Sequence, residues 1–241
     1  MKCKFCGNES ELIKSHVIPA GFFRRIRRGK KPLEVITNSA GEYTKRSQIG
    51  EYDRIVCKAC EAIWQEWDKY AQQLLAEEPL NGRARYHGNR RICYIVDNYE
   101  YGKLKLFFIS LAWRASASSR KFFRRVSLGE FEDIAKQHIM NSDPGDSEDF
   151  SVVVSKFDHP LAKGTFDPYI YQNSGVNYIR FYMAGYIADM KIDHKPTPNQ
   201  LSLITIAESK PLYIICRDFT KSEELILAKK LIEANQQIKS L

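Results

Sequence analysis

Cys3-Lys4-Phe5-Cys6 and Cys57-Lys58-Ala59-Cys60 are two Cys-x-x-Cys pairs, and Ser15-His16-Val17-Ile18-Pro19 lies between them. Each pair presents two thiolates to one ion. Together they supply four soft ligands, the closed tetrahedral set of a structural Zn²⁺. The spacer between the pairs is longer than the roughly 15–20 residues of the simplest zinc-finger pattern, so the pairs must staple a larger unit with structure of its own. A closed four-thiolate site has no open coordination position and does no chemistry itself. Any chemistry falls to neighbours, and the imidazole of His16 is a group that can take a proton from water.

The elements that must position these residues are legible in part. From Cys60 the apolar positions Ile63, Trp64, Trp67, Ala71, Leu74 and Leu75 form a helical stripe, with Glu61, Gln65, Asp68 and Gln72 on another face. That helix is expected to end before Pro79-Leu80-Asn81-Gly82. Short strands are expected near Glu34–Thr37 and Arg54–Val56, and Val17–Arg28 reads as a strand or turn at Pro19 followed by a basic helix. The polar, basic stretch 79–91 reads as a boundary, followed by a strand at Ile92–Val96. Helices are expected over Gly102–Ser119 and Glu130–Met140, then strands at Ser151–Phe157, Tyr169–Tyr171, Asn177–Ala184, Leu201–Ala207 and Leu212–Asp218. An amphipathic helix over Lys221–Ser240 closes the chain. Trp64, Trp67 and Trp113 read as core residues, and His87, His138, His159 and His194 show no ligand spacing.

The 241 residues carry a formal charge of +8, unevenly placed. Residues 1–91 hold 18 Lys and Arg against 11 Asp and Glu, and the remaining 150 hold 19 against 18. A basic region beside a metal module points to a polyanionic partner. No run approaches the ~20 apolar residues of a membrane span. The start, MKCKFCGNE, lacks the apolar stretch of a signal peptide. The expected location is cytoplasmic, where thiols stay reduced and paired cysteines bind metal rather than each other. Cys93 and Cys216 stand alone in apolar runs and read as core thiols.

Cys3, Cys6, Ser15-His16-Val17-Ile18-Pro19, Cys57 and Cys60 together resemble the HNH endonuclease superfamily in its four-cysteine form, over roughly residues 1–75. The resemblance implies a ββα-metal (treble-clef-like) module and metal-dependent phosphodiester hydrolysis, with His16 as general base. Where the family often carries an acidic residue before the histidine, this chain has Ser15. Glu61 follows the last cysteine, and it can ligate a hard cation through oxygen. A catalytic Mg²⁺ or Mn²⁺ is therefore expected on Glu61, helped by Asp53.

The fold class expected is α+β: a zinc-stapled module over residues 1–85, then a mixed domain of helices and antiparallel sheet over 86–241. Arg24, Arg25, Arg27, Arg28, Lys30 and Lys31 are expected to contact nucleic-acid phosphates, with Arg83, Arg85, Arg90 and Arg91 extending the groove. Arg114 reads as part of a second basic cluster with Arg120, Lys121, Arg124 and Arg125. The expected partner is DNA ahead of RNA, with residues 92–241 recognising a protein partner, a substrate or a signal. The alternatives are a catalytically inactive zinc-dependent nucleic-acid-binding protein and a protein-interaction adaptor.

Overall fold

The computed structural model describes residues 1–26, 33–35, 45–47, 50–76, 82–159, 162 and 166–239. The N-terminal part is small and tightly tied. Cys3 N–H bonds Asn8 O and Gly7 N–H bonds Cys3 O, closing a knuckle around the first cysteine pair. Lys4 N–H then reaches Ile55 O and Ile13 N–H reaches Val56 O, which draws the two cysteine segments together. The strand expected at Arg54–Val56 is instead a short β4 (Tyr52–Asp53), paired antiparallel with β1 (Ser15–His16) so that His16 faces Tyr52. Between them lie α1 (Ala20–Ile26), entered after Pro19 as expected, and the hairpin of β2 (Leu33–Val35) with β3 (Lys45–Ser47).

Helix α2 (Lys58–Ala71) starts at the second cysteine pair. Cys57 is extended at φ −80° and its carbonyl accepts the Glu61 N–H, so the turn that carries the second cysteine pair is also the helix start. The predicted stripe faces inward: Cys60, Trp64, Trp67 and Ala71 are buried. The helix runs on as a π-helical turn, Gln72–Ala76. Helix α1 packs against that turn so closely that a Cβ at Gly21 would lie 1.9 Å from Gln72 Oε1. A larger residue there would have to push the Gln72 side chain aside.

The rest is built on one mixed seven-stranded sheet. Its strands are β5 (Arg83–His87), β6 (Arg90–Val96), β7 (Val152–Phe157), β8 (Tyr169–Asn173), β9 (Val176–Met183), β10 (Tyr186–Lys191) and β11 (Leu212–Arg217). Their order is β5-β6-β11-β7-β10-β9-β8. Every pairing is antiparallel except β11 with β7, which is parallel, so the sheet is not the purely antiparallel one expected. Residues 83–87, read as part of a boundary, instead form a hairpin with β6 across Gly88-Asn89, and position 85 falls inside a strand. β10 is an additional strand, joined to β9 by a tight turn in which Ala184 and Gly185 both have positive φ. That turn matches the twist of the flanking strands. Leu201–Ala207 is not a strand. Its start belongs to α5 (Asn199–Ser202), and its end meets the sheet only through one bridge, Thr205 to Val153.

α3 (Tyr101–Ala117) is apolar nearly all round, as a helix with partners on all sides must be. It packs against α2 and α4 (Phe131–Asn141). One hydrophobic core runs unbroken from Cys3, Phe5 and Val17 through these helices to Val152, Phe181 and Ile214 of the sheet. Phe5 sits edge-on to Trp64 at 5.6 Å and to Trp113 at 4.9 Å, tying the cysteine knuckle to α2 and α3. α6 (Glu223–Lys239) ends the described chain. None of the described helices is long and apolar enough to cross a membrane.

Lys105 of α3 is fully buried and donates to Asp146 O at 2.9 Å. Burial pulls its pKa down to about 8 from 10.5, with the nearby Asp149 and Asp146 opposing. The unfolded chain therefore binds more protons between those two values, and stability from this group rises with pH across that window. Lys105→Met is expected to stabilise the protein by about 1–3 kcal/mol near neutral pH. Urea unfolding of both proteins at about pH 7 and about pH 10 should show the difference narrowing at the higher pH.

Candidate metal centre and the His16 site

The four thiols of Cys3, Cys6, Cys57 and Cys60 lie within 4.8 Å of one another. Thiolates about 2.3 Å from a central Zn²⁺ sit about 3.8 Å apart at tetrahedral angles. Cys3 Sγ and Cys60 Sγ are 3.8 Å apart, far beyond disulfide length. The Cys57 N–H points at Cys3 Sγ at 3.4 Å, the kind of backbone contact that supports a charged sulfur. Burial raises the Cys3 thiol, but hydrogen bonds from Cys6, Cys57 and Phe5 outweigh it and bring its pKa to about 6. Cys60 moves the other way, pushed up by burial and by the neighbouring sulfurs. Four thiolates this close cannot all ionise without a cation among them, and this set is compatible with a structural metal ion such as zinc. Among the described residues no other group of three or more His, Cys, Asp or Glu ligand atoms lies as close.

His16 is the second residue of β1, directly after Ser15. Ser15 is buried, and its hydroxyl donates to Glu61 Oε2. Trp64 Nε1 donates to the same oxygen at 3.1 Å. Glu61 is thus held from both sides, its carboxylate one turn into α2 and on the Trp64 side of that helix. Its other oxygen, Oε1, has no hydrogen-bond partner among the described residues. Glu61 and Asp68 are seven residues apart on one helical face. His16 lies close enough to Asp68 to favour its ionised form, and Glu61 to disfavour it.

Arg114 completes the arrangement and is not the surface cation expected. It is fully buried, and every guanidinium N–H has a partner. Nη1 donates to His16 O at 2.9 Å and Asp68 Oδ2 at 2.9 Å, Nη2 to Asp68 Oδ1 at 2.7 Å and Ser110 Oγ at 3.2 Å, and Nε to Ser110 O at 3.2 Å. Its plane also lies 5.4 Å from the Trp64 ring. One side chain therefore binds α3 to α2 and fixes the backbone of His16. Burial pushes the Asp68 carboxyl up, and Arg114 opposes that push.

Asp53 does different work from the cation ligand expected. Its Oδ2 accepts from Ser118 Oγ, Ser119 N–H and Ser119 Oγ at 2.8–3.0 Å, and its Oδ1 accepts the Arg54 N–H at 2.7 Å. Against the upward pull of burial, these bonds hold the carboxyl below its ordinary value. Asp53 thereby clamps the end of α3 to β4 and brings Arg120 beside Tyr52. The Arg120 guanidinium is 5.9 Å and the Lys14 ammonium 5.3 Å from the centre of the Tyr52 ring, and His16 lies across that ring at 6.3 Å. Arg120 also approaches Glu51 at 3.8 Å. This cationic margin joins residues from three separate stretches of chain, which no local motif marks.

Of the basic run expected to meet phosphate, Arg24 is exposed on α1 and the backbone of Arg25 belongs to the same helix. Arg27, Arg28, Lys30 and Lys31 lie outside the described residues. Arg83 pairs with Asp97 at 2.6 Å, and Arg91 pairs with Asp158 at 2.9 Å while lying over Tyr86 and Tyr94. Trp64, Trp67 and Trp113 are core residues, as the sequence pattern indicates.

Two outcomes test this geometry. Mass spectrometry under native conditions should find about one zinc per chain, and Cys60→Ser should lose it together with a large drop in thermal midpoint. Arg114→Met, which strands Asp68, is expected to cost about 3–5 kcal/mol in urea unfolding, and Asp68→Leu in the same chain should recover much of that loss.

No family model, curated protein or solved structure matches the chain.

Proposed function

We propose that this chain is a metal-dependent endonuclease of the HNH type, in which a ββα-metal, treble-clef-like module around a Cys₄ zinc carries the reaction. The observation that carries this reading is the seat of His16. It stands on a two-stranded pair directly before the helix opened by the second cysteine pair, with its own carbonyl clamped by Arg114. A general base works only when held in place, and here the backbone beneath the imidazole is fixed by a buried ion pair.

In this reading His16 takes the proton of a water whose oxygen attacks the phosphorus, and the bond to the leaving oxygen breaks. A divalent cation, Mg²⁺ or Mn²⁺, would supply charge stabilisation at the transferring phosphoryl oxygens. Glu61 Oε1 is the oxygen suited to hold it, because Ser15 and Trp64 already orient the carboxylate through Oε2. Lys14 and Arg120 supply positive charge beside His16 for the phosphate backbone of DNA, or of RNA as the second choice. The expected setting is cytoplasmic.

A second reading, a zinc-dependent nucleic-acid-binding protein without catalysis, is favoured by one observation. Asp53, the helper expected for Glu61, is consumed by serine and backbone donors, and Asp68 by Arg114. Glu61 would then have no acidic helper for a cation.

The separating experiment incubates supercoiled plasmid, linear DNA and RNA with the protein in Mg²⁺, Mn²⁺ or EDTA. Cleavage should require the divalent ion and fall about 100-fold or more in His16→Ala at unchanged zinc content. Glu61→Gln should weaken the response to Mg²⁺. If neither protein cuts but both bind DNA with steep salt dependence, the second reading stands. Cutting at the wild-type rate by His16→Ala would remove His16 as the base.

A further inference from the structure

The second face of the large sheet carries a polar system that the nuclease reading does not use. The first face is packed by helices through Val152, Val154, Ile179, Phe181, Leu212 and Ile214. On the opposite face Phe157, Tyr182, Ile187 and Phe219 form an apolar cluster at one end. Its middle holds charges. Arg180 donates to both oxygens of Asp189 at 2.7 and 3.0 Å and to Tyr171 Oη at 3.3 Å. Glu224, at the start of α6, accepts from Tyr182 Oη at 3.0 Å and lies 3.6 Å from Arg180.

Arg180, Asp189 and Tyr171 of this system form one side of a cavity of about 390 Å³, and Val153, Ser155, Asn173, Leu201 and Arg217 form the rest of its wall. That volume falls within the roughly 300–1,000 Å³ of small-molecule sites. The two arginines in the wall differ. Arg180 is engaged by Asp189 and Tyr171 through Nε and Nη2, with Nη1 3.6 Å from Glu224. Arg217 meets Glu224 only through Nη2, at 3.4 Å, longer than a strong charge-assisted bond. Its Nε and Nη1 have no hydrogen-bond partner among the described residues, although its guanidinium is braced 5.2 Å from the Phe157 ring. The Ser155 hydroxyl, on the neighbouring strand and nearly buried, also has no partner among them. A held guanidinium with donors to spare, beside an unused hydroxyl, has the chemistry of an oxyanion receptor.

We infer that this cavity binds a small solute bearing a carboxylate or phosphate group. The anionic group sits on the Arg217 fork and the Ser155 hydroxyl, Asn173 offers an amide to a second polar group, and Val153 and Leu201 receive the apolar body. The site stands apart from His16 and the cysteine centre, so it holds whether or not the chain cuts nucleic acid. It gives the sheet domain a role as the receptor of a soluble signal or substrate.

The test uses the full chain with inorganic phosphate, adenosine monophosphate and succinate, each against sodium chloride at matched ionic strength. Thermal midpoint and calorimetric titration are both read. At least one probe should raise the midpoint saturably, and the probe acting at the lowest concentration tells phosphate from carboxylate. Arg217→Gln should weaken that affinity about tenfold or more. Arg217→Gln also frees Glu224, so Ser155→Ala, which leaves every ion pair in place, is the second variant and should weaken binding several-fold. Arg85→Gln, on the exposed face of β5, should leave it unchanged. Absence of saturable binding by all three probes overturns the inference. So does binding that survives both Arg217→Gln and Ser155→Ala, or that Arg85→Gln reduces equally.

Discussion

The buried guanidinium of Arg114 sets the register of everything around the candidate site. A cation without water is tolerable only when each of its donors is matched, because desolvation costs several kcal/mol per ion. Arg114 meets that condition with groups from three elements: Ser110 on its own helix, Asp68 on α2 and the carbonyl of His16 on β1. Sliding α2 along α3 by one turn would remove Asp68 from reach. Shifting β1 by one residue would present a different carbonyl and turn the imidazole to the other face. The ion pair therefore contributes less as net stability than as a constraint on which arrangement of the helices and strand is allowed.

The cysteine centre and this ion pair divide the work of holding a small unit together. The N-terminal elements are short: β1 and β4 have two residues each, and α1 has seven. Strands of that length do not stand alone. The four thiols fix the chain at the start of α2 and at the knuckle of residues 3–7, and Phe5 carries that fixation into the core against Trp64 and Trp113. Asp53 adds a third tie, from β4 to the end of α3. His16 and Tyr52 sit between these ties, so a short pair of strands acquires the rigidity of the core behind it.

The sheet shows the opposite economy. Its helix-covered face is conventional apolar packing. Its other face keeps Arg180, Asp189, Glu224 and Arg217 together, where aliphatic side chains would have packed at no desolvation cost. The two halves of the molecule thus differ in kind. In the N-terminal half charge is buried to position a strand, whereas in the sheet charge lines an accessible cavity.

Some of this is determined by the sequence alone. The paired cysteines announce a four-ligand centre because two residues between thiols is the spacing that lets both reach one ion. The period of Trp64, Trp67, Ala71 and Leu75 is that of a helix face, and the helix is where it was expected. Local patterns of that kind survive because their physics is local. Three other features are decided only by tertiary structure. Arg114 reads as one more surface cation, since nothing near it in the chain shows that Asp68 and His16 O will meet it. Asp53 reads as a cation ligand until the serines at 118 and 119 arrive on it from across the core. The parallel pairing of β7 with β11 joins strands more than fifty residues apart. In each case the deciding energy is a contact between distant residues: a buried charge finding its last donor, or a strand its partner. No window along the chain contains both sides of that contact.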